Sequence, residues 1–192
     1  MLMSFGNLIE KYKATVNGVI HVGGHVGEEI VNYKTITNNI HIFEPLEWCY
    51  EQIDPSINKY NVALGSEEKV MTFNVASNNQ SSSILKPKLH LTEHSWVHFN
   101  QTKEVQVKTL DSFDISDCNF LNMDVQGYEL EVLKGSTETL KNIDYIFTEV
   151  NEKELYENCA LVEHLDNFLV DFNRVEIEMT PHGWGDAFYV RK

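Results

Sequence analysis

The sequence predicts an α/β fold: a mostly parallel β-sheet with helices on both faces, ending in an antiparallel pair of strands. Three observations carry this reading. Short β-branched runs alternate with helix-patterned segments along most of the chain. A glycine cluster (Gly23, Gly24, Gly27) follows the first run, VIHV, and an acidic residue, Glu44, ends the second, 20 residues after Gly24. The last two runs, RVEIEM and AFYV, are joined by little more than PHGWGD, too short for a parallel crossover.

Taken in order, Leu2, Phe5, Leu8, Ile9 and Tyr12 recur at helical spacing and predict an amphipathic helix within residues 1–14 that packs on the body. Strands are expected at 19–22, 39–43, 59–64, 69–75, 104–110, 119–125, 144–150, 174–179 and 187–190. Helical patterns occupy 28–36, 45–53, 127–141 and 152–172. Residues 76–103 differ: they are polar and turn-rich, and Pro87 stands among them, so no long helix fits. A long connection beside the sheet's C-terminal edge is usually functional. No repeat, linker or low-complexity tract divides the chain, and one domain over 1–192 is expected.

Composition narrows the partners. Hydrophobic residues make up 42% and charged residues 23%, as in a soluble globular protein. Fifteen Lys and Arg against 29 Asp and Glu give a net charge of −14. Such a surface repels phosphate backbones and anionic lipid, so neither nucleic acid nor a membrane is expected as partner. Cys49, Cys118 and Cys159 lie far apart with no C-x-x-C pair, which suggests neither a disulfide framework nor a cysteine zinc site. They read as small apolar residues in a reducing cytoplasm, the expected location. No apolar run reaches the length of a membrane span, and the N-terminus lacks the basic-then-apolar pattern of a signal peptide. Oligomeric state has no signal in the sequence.

In an open α/β sheet, ligands bind beyond the carboxyl ends of the strands. A glycine turn there lets backbone approach a ligand without a Cβ in the way, although G-G-H-V-G alone is a weak motif. Glu44 strengthens it, because an acidic side chain at the end of the second strand can accept hydrogen bonds from both ribose hydroxyls. Pro45 then ends that strand and fits the first turn of a following helix. Glu28 and Glu29, at the start of the helix after the glycines, would repel a pyrophosphate but tolerate a cationic, phosphate-free ligand such as S-adenosylmethionine. They serve equally well as helix-dipole partners. A dinucleotide-dependent oxidoreductase and a non-catalytic cofactor-binding or interaction domain are therefore the rival readings.

The later motifs resemble a known family. FLNMDVQGYELEVLKGS (120–136) is similar to the signature of the FkbM-type S-adenosylmethionine-dependent methyltransferases. IHVGGHVGEE, IFEP, NVALGS, SSSIL, VKTLDSF, IFTEVN and GDAFYVR fall in that family's order, so the resemblance runs from about Val19 to Arg191. It implies a Rossmann-like class I methyltransferase fold, a seven-stranded mostly parallel sheet whose last strand is antiparallel. It also implies methyl transfer from S-adenosylmethionine to a hydroxyl of a sugar or small-molecule acceptor. By the same resemblance, Gly23, Gly24, His25 and Gly27 would line the methionine part of the cofactor and Glu44 with Pro45 the ribose side. Ser82 and Ser83 would close the cofactor or substrate side, and Asp124 would lie near the amino group and the transferring methyl. Two positions depart from the pattern. His21 stands where the family usually has an acid, and Asn122 where it often has a lysine.

Methyl transfer to a hydroxyl needs alignment, exclusion of water and a proton acceptor. Asp124, Glu149, His182 and Asp186 all map to strand ends or loops on the ligand side. His182 and Asp186, then Glu149, rank as base candidates, since a histidine can act near neutral pH without a large shift. Asp124 could equally cap the helix before GYELEVL, and Glu129 could order that loop. Trp184 suits a substrate wall or simple packing. His90, His94 and His98 are spaced by four, but Pro87, Thr92, Ser95 and Val97 disfavour a helix, so a polar loop over the site is expected. The strand-to-turn geometry also keeps His21 and His25 from sharing an ion. No metal site is expected. A divalent ion on Asp124 with Glu149, as in other O-methyltransferases, is the minority alternative.

Overall fold

The computed structural model describes residues 2–192; Met1, with which the expected N-terminal helix opens, lies outside them. In chain order the elements are α1 (Phe5–Tyr12), β1 (Val19–Val22), α2 (Ile30–Tyr33), β2 (Ile40–Phe43), α3 (Glu47–Gln52), β3 (Asn58–Tyr60), β4 (Ala63–Leu64) and β5 (Lys69–Val75). They continue with α4 (His90–Glu93), β6 (Gln101–Lys108), β7 (Phe120–Met123), α5 (Glu129–Lys134), β8 (Tyr145–Asn151), α6 (Val162–Phe168), β9 (Phe172–Met179) and β10 (Trp184–Arg191).

Mostly apolar runs make strands that are covered on both faces, and β1, β2 and β7 are buried along their whole length. They lie in a seven-stranded sheet of order β3-β2-β1-β7-β8-β10-β9. The first five of these pair in parallel. β10 inserts antiparallel between β8 and β9, as the short loop before it requires. One apolar layer joins Phe5 and Leu8 of α1 to Ile30 and Tyr33 of α2 and to Phe120 and Phe188 of the sheet. The opposite layer joins Val132 and Leu133 of α5 and Leu165 of α6 to Ile20, Leu121 and Ile146. The seven-stranded sheet with one antiparallel strand is thus as the sequence predicts.

Several expectations need correction. The run at 59–64 is two strands, because the Asn61 side chain donates to the carbonyls of Glu44 (2.9 Å) and Pro45 (3.2 Å) and turns the chain. β4 leaves the large sheet and joins β6 and β5 in a separate three-stranded sheet of order β4-β6-β5. That sheet is amphipathic: Phe73, Val105 and Val107 face inward while their neighbours stay exposed.

The helices are shorter than their patterns. α5 stops at Lys134 because Gly135 packs on the Gly65 carbonyl, where a Cβ would come within 2.0 Å. Residues 152–161 form no helix because the long connection uses their backbone: Lys88 and His90 N–H donate to Leu155 O (2.8 and 3.0 Å), and Glu157 N–H to Lys86 O (2.8 Å). That connection holds a single helical turn, α4, as its Pro87-containing sequence implies. All three cysteines are free and buried. No helix among the described residues is long and apolar enough to cross a membrane.

Candidate active site

Two adjoining cavities open beyond the carboxyl ends of β1, β2, β7 and β8. The first is an apolar slot with polar ends. Phe43, Leu46, Leu64, Phe73, Ile84 and Tyr128 form its walls, and Gly23, His25, Glu44, Pro45, Ser82 and Asp124 its rim. The small sheet supplies Phe73 and Leu64, so it builds one wall of the slot. The second cavity is polar, about 310 Å³, and shares Gly23, His25, Gln80 and Asp124 with the first. It is lined also by His21, His90, His94, Trp96, Glu149 and Trp184. The residues lining the two cavities include no lysine and no arginine.

Backbone geometry brings these groups together. Gly23 has φ +83°, and a Cβ there would lie 1.9 Å from the Asp124 carbonyl oxygen, so only glycine lets β1 end against β7. His25 follows with φ 45°, the left-handed region. Its N–H donates to Glu44 Oε2 (2.9 Å), and Leu46 N–H donates to Glu44 Oε1 (2.8 Å). Glu44 is thereby fixed at the slot's rim. Burial pushes its carboxyl up to about 7, against the pull of those two N–H groups.

A second carboxylate group forms at the ends of β7, β8 and β10. Glu149 and Asp186 face each other directly in the antiparallel register, and both are buried. Gln126, itself at φ 54°, donates through Nε2 to Asp124 Oδ1 (2.7 Å) and Glu149 Oε2 (3.1 Å). Its Oε1 accepts from the Tyr156 hydroxyl (2.8 Å). Glu129 Oε1 accepts from Val125 N–H (3.2 Å) and Gly127 N–H (3.1 Å), ordering the loop that carries Asp124. Burial, then the like charges of Asp124, Glu129 and Asp186, hold the Glu149 carboxyl well above its ordinary range. Asp124 is likewise raised, by burial.

The two departures from the family pattern prove to be one unit. His21 and Asn122 are register partners on β1 and β7. Asn122 Nδ2 donates to the Tyr33 hydroxyl (2.5 Å), which lies 3.2 Å from His21 Nδ1. The hydroxyl proton therefore points to Nδ1 and the imidazole proton sits on Nε2. Burial lowers the His21 pKa, which keeps the ring neutral. An acid and a lysine in these positions would form a buried ion pair; here a neutral triad fills the same space. Tyr33→Phe leaves Asn122 without its partner and is expected to cost about 1–3 kcal/mol, read by urea denaturation. An unchanged midpoint would refute the triad.

The other expected site residues fall variously. Ser82 lines the slot, whereas Ser83 lines neither cavity; its hydroxyl donates to Gln126 O (2.8 Å) and pins the long connection to the Asp124 loop. Gly24 and Gly27 also line neither cavity; Gly24 packs on Ile42. Asp124 does not cap α5, whose N-cap is Tyr128. Asp186 lines neither cavity and accepts the backbone N–H groups of Leu2 and Met3, the latter at 2.9 Å. His182 lies outside both linings, half-exposed, with Nδ1 2.9 Å from Glu93 Oε2. Of the four sequence candidates, Asp124 and Glu149 line a cavity, and Asp186 and His182 do not. Gln126, Tyr33, Phe73 and Tyr128 have no assigned role in the sequence reading. Gln126 sat in plain view within D-V-Q-G-Y-E. Tyr128 stands in the same motif, whereas Tyr33 and Phe73 lie outside every motif.

Comparison with known proteins follows the same line. The family described as the methyltransferase FkbM domain matches residues 21–176, most of the chain. The chain belongs to the FkbM methyltransferase family. The FkbM domain is 35% identical over 99 residues to the 2-O-methyltransferase NoeI of Sinorhizobium fredii (strain NBRC 101917 / NGR234), a match covering 50% of this chain and 41% of that protein. Its fold is similar to the crystal structure of methyltransferase FkbM from Methylobacillus flagellatus KT, with TM-score 0.60 and 12% identity, over 98% of this chain and 45% of that one. It is also similar to the magnesium protoporphyrin IX methyltransferase of Synechocystis PCC 6803 with bound S-adenosylhomocysteine, with TM-score 0.51 and 9% identity, over 97% and 79% of the two chains. The matches thus cover less than half of NoeI and of the Methylobacillus protein.

Proposed function

We propose that residues 1–192 act as one S-adenosylmethionine-dependent O-methyltransferase unit, with a hydroxyl of a sugar or other neutral small molecule as acceptor. The observation that carries this is the charge of the cavities. Glu44, Asp124 and Glu149 line them with no lysine or arginine beside them. Buried carboxylates without a counter-ion favour a cationic ligand and repel a pyrophosphate. That chemistry fits a sulfonium with an ammonium and speaks against a dinucleotide.

The residues present fit each part of such a cofactor. The apolar slot suits an adenine, and Glu44 at its rim suits the ribose hydroxyls. Asp124 suits the ammonium, a larger task here because His21 is neutral. When bound, S-adenosylmethionine supplies a methyl group on a positively charged sulfur, which keeps the electron pair of the broken C–S bond. Glu149 takes the acceptor's hydroxyl proton as the new O–C bond forms. Gln126 holds Asp124 and Glu149 in register. Trp96 and Trp184 offer flat faces for a sugar ring, and the missing cations disfavour phosphorylated or carboxylated acceptors. The 2-O-methyltransferase name of the 35% identical relative supports transfer to oxygen.

Thermal shift tests this reading, since a ligand that binds only the native state raises its stability. S-adenosylmethionine and S-adenosylhomocysteine should stabilise the protein, and NAD should not. Glu44→Ala should abolish the response. A well-folded sample that ignores both adenosyl ligands would sink the proposal; a full response in Glu44→Ala would remove Glu44 from the site.

A further inference from the structure

At the opposite edge of the sheet, far from the carboxyl strand ends, three metal-ligand side chains converge. His41 is the second residue of β2, and Asp117 and Cys118 precede β7. A nitrogen of His41, a carboxylate oxygen of Asp117 and the sulfur of Cys118 all lie within 4.8 Å of one another. Ligand atoms around a tetrahedral zinc ion are separated by about 3.5 Å, given bonds of about 2.0–2.3 Å. Closing the difference requires the Asn39 amide, which now lies between His41 and Cys118, to turn aside.

The surroundings are arranged as a metal site needs. The His41 ring is held on its far nitrogen, with Nδ1 3.0 Å from the Tyr60 hydroxyl. Before an ion binds, the Tyr60 hydroxyl donates to Nδ1, because Nε2 faces an amide oxygen; with the ring proton moved to Nδ1 the same hydroxyl can accept it, the contact that orients a ligating imidazole. Nε2 lies 3.1 Å from Asn39 Oδ1, and Asn39 Nδ2 donates to Cys118 Sγ at 3.5 Å. The Asn39 amide therefore bridges two of the three donors before an ion binds, and an ion would take the place of that amide as it rotates away. Gly18 makes room for this grouping, since a Cβ there would lie 2.4 Å from Asn39 Nδ2 and 2.6 Å from Cys118 Sγ. Asp117 is exposed and opens the site to solvent, leaving a fourth position for water.

We propose that His41, Asp117 and Cys118 bind a thiophilic divalent cation, Zn²⁺ before others, and that the ion ties β2 to β7 across β1. A thiolate, an imidazole and a carboxylate together select zinc over the hard cations magnesium and calcium. On binding, the Cys118 S–H proton leaves to solvent as the metal–sulfur bond forms. The ion would brace the edge remote from the cavities, so its role is structural and separate from methyl transfer.

Co²⁺ titration of the full chain tests this, because a cobalt–thiolate bond gives a near-ultraviolet charge-transfer band. The band should saturate at about one ion per chain and disappear on adding Zn²⁺. Cys118→Ser should lack it although Cys49 and Cys159 remain. Asp117→Asn changes an exposed side chain, so folding is not at issue, and it should weaken Co²⁺ binding by about tenfold or more. Tyr60→Phe should weaken it by about tenfold through the His41 ring. No band in the wild type, a band kept by Cys118→Ser, or wild-type affinity in Asp117→Asn overturns the proposal. If Cys118→Ser fails to fold by circular dichroism, the other two variants decide.

Discussion

Replacing Glu149 with glutamine lowers methyl transfer by about 10²–10⁴-fold, the span that a positioned proton acceptor contributes. Binding of S-adenosylhomocysteine stays close to wild type, because Asp124 and Glu44 remain. Glu149 is buried at the end of β8, lines the polar cavity and is fixed by Gln126. Its raised pKa makes it a better proton acceptor than an ordinary carboxylate once it is ionised. A cation placed beside Asp124 favours that ionised form. The wild-type rate should therefore climb as pH rises through the Glu149 pKa, and this limb should vanish in the variant. Release of S-adenosylhomocysteine with a panel of neutral monosaccharides, followed across pH, reads both. A glutamine variant with near-wild-type turnover would hand the role to His94, which lines the same cavity.

The ligand-free protein is expected to lose stability as pH rises from about 5 to about 8. Burial pushes both Glu44 and Glu129 up to about 7 from an ordinary 4.5. Each is neutral in the fold at a pH where the unfolded chain has already ionised it. Between those values the native state binds more protons, so stability falls with increasing pH. The contribution is complete below about 4.5 and lost as pH passes about 7. Each group accounts for up to ~3 kcal/mol at 1.36 kcal/mol per pKa unit. Opposing shifts elsewhere trim the sum, and a Tm fall of about 5–10 °C is expected for a chain of this size. Glu44→Gln should reduce the fall without abolishing it, since Glu129, Glu149 and Asp124 are raised as well, and saturating S-adenosylmethionine should flatten it. A Tm that is level or rising over this range would show that these carboxyls are ionised in the ligand-free fold.

Much of this was legible in the sequence because it depends on local pattern. β1, β2, β7 and β8 are mostly apolar, β-branched or aromatic runs, and the PHGWGD loop permits only an antiparallel closure. Glu44 and Asp124 sit at the ends of such runs, so their place at the ligand edge follows from the strands alone. What depended on distant contacts was not legible. The three-stranded sheet exists because Asn61 turns the chain, and its Phe73 becomes a cavity wall. The 152–161 segment has helical periodicity, yet the long connection claims its backbone hydrogen bonds. Asp186 and His182 look free in sequence; the first is occupied by the N–H groups of Leu2 and Met3, the second by Glu93. His41 and Cys118 are separated by most of the sheet's first half, and no local spacing could pair them.

The neutral triad of His21, Tyr33 and Asn122 makes two distant positions interdependent. In the family pattern that the sequence resembles, an acid and a lysine stand in the two outer places. Introducing either one alone here would leave a buried charge without its partner, a defect of about 3–5 kcal/mol. Only the two together could recover part of that cost, so positions 21 and 122 behave as a single unit of substitution, and Tyr33, whose hydroxyl meets both, is what joins them.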